Sequence, residues 1–402
     1  MPSLKVPFMN RFRLLAVCVA NFGNALNDGA AGALIPYMED YYGIGYGVVS
    51  LIFIGQALGF VFAAVVLDSL RAKLGRAKLS SLSQGIMAVA FIPHMIGAPF
   101  AVIVVAFFFV GFGLAVNVAM GNIFCGELQN STFVLGILHS SYGLGGTVGP
   151  LIATAFVTVA HSPWARYYIL TCGISVISVG LSLWSFWGFE KEQNFDVQAQ
   201  EASTRENFFL AMIKALKLRM VVLTSIFIFA YQGAEVSISG WVTSFLISAR
   251  GGDPASVGYV SAGFWAGITL GRLLLSAPAQ RVGEKKVVYG FIFGAVTFQL
   301  LVWLVPNIIG NAVAVSIVGV LLGPIYPCAV SVSIRGMSQK DALSGMATIS
   351  ACGSLGGALA PFTTGLLAEA VGTFVLHPIV IGLYVVMLIC WYNIPTVAKR
   401  TE

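Results

Sequence analysis

Residues 20–36 read ANFGNALNDGAAGALIP and lie inside an apolar segment that runs from about 13 to 38. At helical spacing Asn21, Asn24 and Asp28 fall on one face, with Asn27 beside them. Gly29, Gly32 and the neighbouring alanines leave this helix thin enough to pack closely against others. A carboxylate in a lipid-buried helix costs several kcal/mol, about 2.5–3.5 even on insertion scales. Asp28 therefore implies a polar interior within a membrane fold, or a bond to a neighbouring helix that satisfies it.

The rest of the chain supports a membrane class. Of its 402 residues 58% are hydrophobic and 9% charged, and the mean hydropathy is +0.89. A soluble domain of this size has no means of hiding so much apolar surface. Many of the 45 glycines sit inside the apolar runs, as close helix packing requires. The six cysteines follow no metal-ligand or paired spacing and read as small packing residues. No nucleotide cradle, zinc spacing or nucleophile elbow is present, so neither an enzyme nor a cofactor is expected; a proton is the expected coupling ion.

Runs of spanning length fall at about 13–38, 47–68, 79–97, 100–126, 132–160, 165–188, 221–248, 256–278, 287–305, 309–334, 343–371 and 374–394. These predict an all-α integral membrane protein with twelve transmembrane helices. With the N-terminus placed in the cytoplasm, nineteen of the 22 Lys and Arg residues fall on the inner side; only Arg166 and Arg250 fall outside, and Arg272 lies near the inner end of the eighth span. The positive-inside rule then places both termini in the cytoplasm. The net charge of +6 is thus a topology signal, and no nucleic-acid partner is expected.

The longest polar stretch divides the chain and predicts an N-terminal six-helix bundle over 1–188, a cytoplasmic linker over 189–220 and a C-terminal six-helix bundle over 221–402. Ser203 and Glu206 fit a capping box, and Phe208, Phe209, Met212, Ile213 and Leu216 form the apolar face of an amphipathic helix. The two halves echo each other. Leu144-Gly145-Gly146 leading to Pro150 matches Leu355-Gly356-Gly357 leading to Pro361 at an offset of 211. Lys73-Leu74-Gly75-Arg76 matches Arg281-Val282-Gly283-Glu284 at an offset of 208, with the last charge reversed. Two echoes at similar offsets argue for a duplicated six-helix unit.

Two acids lie deep in apolar spans, Asp28 in the first and Glu235 in the seventh. Intramembrane acids mark functional sites by default, and burial can make their protonation switchable. Asp28, Glu235 and His139 are the predicted proton-coupling residues. The predicted substrate-binding set is Asn24, Asn27, Asp28, Gln56, Asn117, His139, Tyr142, Gln232, Glu235, Trp265 and Tyr326. Amides and hydroxyls suit a polyol ligand, and a ring such as Trp265 stacks on the apolar face of a sugar. For His139 and Asn117 a purely structural bond is an equal alternative. His94, His161 and His377 lie near span ends and read as surface residues. The charges near the inner ends read as snorkelling or as latching ion pairs.

Twelve spans in two repeats with a polar middle loop resemble the major facilitator superfamily. Its signature between the second and third helices survives only as LRAKLGRAK, with Ala72 where the acid belongs. LHSSYGLGGTVGPL (138–151), AYQGAEVSISGWVTSFL (230–246), GPIYP (323–327) and SLGGALAPFTTGLLAEAVG (354–372) look like the fucose–proton symporter family and its fungal relatives. The resemblance implies a proton-coupled sugar porter in which two bundles rock about a midplane site. It also implies acids on the first and fourth helices. Asp28 matches the first, whereas the fourth span offers Asn117 and no acid.

The expected function is secondary transport of a small polar solute, a sugar or similar polyhydroxylated compound, by proton symport and alternating access. The protein is expected to act as a monomer in the lipid bilayer of the plasma membrane. An uncoupled uniporter or exporter of another metabolite, and a sensor or receptor on a transporter fold, remain open as alternatives.

Overall fold

A computed structural model describes residues 2–129, 131–189 and 208–395. The capping residues Ser203 and Glu206 lie outside them. Among the described residues the chain is all helical, with no strand. The helices of the first half are α1 (Asn10–Tyr42), α2 (Leu51–Met95), α3 (Phe100–Gly126), α4 (Ser131–Thr158) and α5 (Tyr167–Phe186). A short α6 (Phe208–Ala215) precedes α7 (Arg219–Arg250), α8 (Tyr259–Val282), α9 (Glu284–Leu304), α10 (Ile308–Leu322), α11 (Ile325–Gly336), α12 (Gln339–Val371) and α13 (Leu376–Asn393).

Nine helices among the described residues are long and apolar enough to cross a membrane. Their outward side chains include Val65 (61% exposed), Val89 (66%), Leu274 (65%) and Phe293 (59%). Such a surface suits lipid rather than water, because a helix that keeps its backbone hydrogen bonds internal can present bare hydrocarbon outward. The second and third predicted spans run together as α2, interrupted at Gly75, whose φ of 72° only glycine adopts without strain. The tenth predicted span is split into α10 and α11 around Gly323 and Pro324. The predicted amphipathic segment is α6. Ile213 in it and Leu216 just after it are about half exposed, while the Met212 carbonyl accepts a bond from Thr348 Oγ1 at 3.2 Å.

The described residues form two compact units. One takes in 2–31 with 54–189, the other 32–53 with 208–395. Close helix contact organises each. In the first, a Cβ on Gly29 would stand 2.5 Å from the Gly146 carbonyl oxygen, so α1 and α4 meet backbone to backbone.

The reversed charge in the sequence echo has a structural answer. Arg76 donates two hydrogen bonds to Glu127, at 2.8 and 2.6 Å, and its guanidinium lies 4.6 Å over the Phe189 ring. In the second unit Arg335 pairs with Glu284 at 2.9 Å. Residues 76 and 284, and 127 and 335, are both 208 apart. The two units thus carry the same ion pair with the charges exchanged. Gly75 and Gly283 share the offset and both have positive φ, as do Gly43 and Gly251. Arg76, whose loop reads from sequence as snorkelling or a latch, pairs within its own unit, as does Arg335 with Glu284 in the other. Arg76→Glu should destabilise the protein by roughly 1–3 kcal/mol, less than a fully buried pair because Glu127 is a third exposed. Adding Glu127→Arg should restore most of the loss, since the second unit already uses that order. Melting in detergent of the single and double variants measures this; a double variant no better than the single would refute it.

Within the second unit the segment 32–53 packs on α12. Glu369 Oε2 accepts the Gly47 amide at 3.4 Å, and a Cβ on Gly45 would overlap the Glu369 carboxylate. Glu39, one residue beyond the predicted first span, has its Oε1 buried without a partner. Burial, with the Glu369 carboxylate nearby, pushes its carboxyl from an ordinary 4.5 up to about 8. A carboxyl whose value is raised by docking favours the docked state in acid. That contribution is complete below pH 4.5, declines as the pH rises and is exhausted above about 8. Proteolytic protection of 39–47 should therefore weaken between pH 5 and pH 9, and Glu39→Gln should make it pH-independent. Equal pH dependence in the variant would exclude Glu39 as the cause.

Candidate functional site

In the first unit the polar residues converge on Asp28. Its Oδ2 accepts from the Tyr142 hydroxyl at 2.5 Å, and its Oδ1 accepts from Gln56 Nε2 at 2.8 Å and Asn27 Nδ2 at 3.3 Å. Three helices, α1, α2 and α4, supply these groups. The close approach of α1 and α4 comes from small residues, Gly29 next to Asp28 on α1 and Gly146 one turn from Tyr142 on α4. All three donors are neutral, and among the described residues no base pairs with Asp28. A carboxylate held only by neutral donors has no counter-charge to offset the loss of water around it. Beside it Asn24 is 1% exposed, and neither its amide nitrogen nor its carbonyl oxygen has a partner among the described residues. Asn27 is 2% exposed with its Oδ1 likewise unpartnered. Both amides thus bury polar atoms that no described group meets, which is uncommon in a folded protein.

The other residues predicted on this side lie apart. Asn117 accepts from Ser83 Oγ at 2.8 Å and donates weakly to Met87 Sδ, which ties α3 to the second part of α2. His139 is exposed and is not among the three donors to Asp28. Asn21 donates to the Leu138 carbonyl at 2.9 Å, a helix-to-helix bond.

In the second unit the acid is paired. Arg272 Nη2 on α8 lies 3.2 Å from Glu235 Oε1 on α7 and 3.5 Å from the Tyr231 hydroxyl. The Glu235 side chain is 7% exposed and that of Arg272 25%. The rings of Tyr231 and Tyr326 stand 5.9 Å apart, so Tyr326 on α11 joins the cluster. Gln232 packs against α12, where a Cβ on Gly353 would lie 2.6 Å from its Oε1. Trp265 is 5% exposed, and its ring lies 6.2 Å from Phe264.

Arg272 is a candidate site residue that the sequence reading left out. It was assigned to an inner helix end, yet it sits within the eighth predicted span and is as anomalous there as Asp28 in the first. That anomaly was the available signal. Two further expectations are corrected. His94 and His377, read as surface residues, are both 0% exposed. His94 bonds the Ala90 carbonyl at 2.9 Å between Phe107 and Tyr168; His377 bonds Gln299 at 2.8 Å and stacks on Trp303. Aromatic packing at these helix ends buries rings that hydropathy alone assigns to the rim.

The comparisons with known proteins agree with this architecture. The family profile described as Major Facilitator Superfamily matches residues 17–361. Among curated proteins, the chain is 27% identical over 395 residues to the bypass of stop codon protein 6 of Saccharomyces cerevisiae, covering 91% of this chain and 77% of that one. It is 22% identical to the glucose/mannose transporter GlcP of Bacillus subtilis, over 93% of this chain and 91% of that one. Among solved structures, the fucose:proton symporter FucP of E. coli superposes with a TM-score of 0.64 at 15% identity, over 96% and 98% of the two chains.

Proposed function

From the premise that this chain belongs to the major facilitator superfamily, a family of multi-pass membrane transporters rather than enzymes, we propose that it carries a sugar or similar polyhydroxylated solute by proton symport. The observation that carries the coupling is the setting of Asp28, a carboxyl held by Tyr142, Gln56 and Asn27 with no base paired to it among the described residues. Glu235 has its charge met by Arg272. The two acids therefore divide the work: Asp28 takes the proton, and Glu235 with Arg272, Tyr231 and Tyr326 serves the solute.

The proposed cycle rests on the cost of burying charge. With the outside open, Asp28 takes a proton and becomes neutral. The loaded protein then closes outward without an isolated buried charge, because the expensive species is the ionised one. Opening inward returns water to Asp28, which releases its proton as the solute leaves. Asn24 and Asn27, with their unmet polar atoms, are placed to bind solute hydroxyls near the carboxyl. The similarity to a glucose/mannose transporter and to a fucose:proton symporter supports the solute class. Lys and Arg distribution supports cytoplasmic termini, and the plasma membrane is the proposed location.

Reconstitution tests this reading. Purified protein in proteoliposomes should accumulate a labelled hexose when the outside is made acidic and lose accumulation when the gradient is collapsed. Uptake that only equilibrates, whatever the gradient, would replace symport by facilitated diffusion.

A further inference from the structure

Ionised and protonated Asp28 ask different things of their neighbours. A carboxylate only accepts hydrogen bonds, whereas a carboxylic acid also donates one. In the first unit every group on Asp28 is a donor: Tyr142 to Oδ2 at 2.5 Å, with Gln56 at 2.8 Å and Asn27 at 3.3 Å to Oδ1. The arrangement suits the ionised form. When a proton arrives, one of the three has to become an acceptor, or the O–H of the acid is left buried without a partner.

The backbone of α1 is held in place here. Tyr167 on α5 donates to the Leu26 carbonyl at 2.8 Å, and a Cβ on Gly149 of α4 would stand 2.6 Å from that same oxygen. A response to the proton therefore falls to side chains. Of the three donors Asn27 makes the longest bond. It is 2% exposed, and its Oδ1 has no partner among the described residues. Turning this amide over breaks no second bond, and it brings Oδ1 to Asp28 in place of Nδ2. Tyr142 stays on Oδ2, and the protonated Oδ1 keeps a lone pair for Gln56.

Resting on the proton-symport reading, we propose that Asn27 reads the proton on Asp28: its amide donates to the ionised carboxylate, turns over to accept from the protonated acid, and then offers its freed Nδ2 to a solute oxygen. Asn24, three residues earlier on the same helix and without a partner at either amide atom, is its neighbour at helical spacing. The polar face of α1 thus changes from offering an acceptor to offering a donor as the proton binds. Among the groups bonded to Asp28, Tyr142 from α4 is the titratable one; α2 brings the neutral Gln56, and the Tyr167 hydroxyl of α5 is engaged by Leu26.

Infrared difference spectra of the protein in lipid, taken between acid and alkaline pH, read the acid directly. The wild type should show a protonated-carboxyl C=O band that Asp28→Asn removes. In Asn27→Leu that band should persist but move to higher frequency, because its O–H has lost an acceptor. With asparagine isotope-labelled at the side-chain carbonyl, the wild-type difference spectrum should also carry an amide band that Asp28→Asn removes, and this arm needs no variant at position 27. A carboxyl band unmoved by Asn27→Leu, or the absence of a labelled amide band, overturns the role of Asn27 and leaves Asp28 as the proton carrier. Absence of the Asp28 band at every pH overturns both that role and symport. Titration calorimetry with D-glucose and D-galactose adds the solute. The wild type should bind about tenfold more tightly in acid, the worth of one hydrogen bond gained, and Asn27→Leu should bind equally at the two pH values. A tenfold ratio retained in the variant overturns the role of Asn27. If neither hexose binds, the sugar reading falls, and the infrared arms still decide whether Asn27 follows the proton.

Discussion

Asp28→Asn should leave the protein able to exchange sugar across a membrane but unable to concentrate it. Asparagine keeps the shape and two hydrogen-bonding atoms, so the contacts from Tyr142, Gln56 and Asn27 are partly retained. It cannot take up or release a proton. Each pH unit is worth about 1.4 kcal/mol, or a factor of ten. A two-unit gradient therefore supports up to about 100-fold accumulation in a one-to-one symporter, and the variant should fall to a ratio near one. Counterflow with labelled sugar on one side and unlabelled on the other should persist, because exchange requires only that the loaded protein reorient. Accumulation that survives in Asp28→Asn would remove Asp28 from the coupling step and return attention to Glu235. Glu235→Gln should behave differently, altering which sugars bind while leaving the gradient dependence in place.

The second large effect concerns stability and sets two adjacent glycines against each other. On α12 a Cβ at Gly356 would overlap the carbonyl oxygen of Phe229 on α7, where the backbones touch. One residue on, a Cβ at Gly357 would meet Val236 Cγ2 at 3.3 Å, a close contact that a side-chain methyl can yield to. Gly356→Ala should therefore force the helices apart, costing about 1–3 kcal/mol or more by overpacking. Gly357→Ala should be nearly neutral, since alanine also favours a helix over glycine by about 1 kcal/mol. Melting temperature and the yield of monodisperse protein in detergent should separate the two clearly. Equal losses would mean that the contact of α7 with α12 is looser than the structure has it. Membrane helices make this test sensitive, because close backbone packing holds them together where lipid supplies no hydrophobic drive.

Much of the site was legible as anomaly. Asp28 and Glu235 stand out because a charge in an apolar run violates a one-dimensional rule that needs no tertiary information. Tyr142 and Gln56 were also named, yet their convergence on Asp28 spans 114 and 28 residues of chain. Asn117 shows the limit. Its amide is as conspicuous in the sequence as that of Gln56, but it is bonded to Ser83 and Met87. His94 and His377 show the same limit at the helix ends, where neighbouring rings rather than hydropathy decide burial.

The repeat was legible only in part. The sequence echoes disagree by three residues, and the charge is reversed between Arg76 and Glu284. The structure shows each charge balanced on the next helix pair, by Glu127 and Arg335, at the same offset of 208. At that offset Glu235 corresponds to Asn27 rather than to Asp28. The two acids are neighbours in register, not equivalents, which agrees with their different surroundings.

From sequence alone follow the membrane class, the places of the spans, the duplication and the two acids, because hydropathy and charge are properties of residues taken one at a time or at fixed spacing. Which acid stands bare and which is paired belongs to the tertiary structure. One residue turns a helix by about 100°, so a side chain's partner depends on how neighbouring helices are rotated and how closely glycine lets them approach. That rotation brings Arg272 to Glu235 and only neutral donors to Asp28.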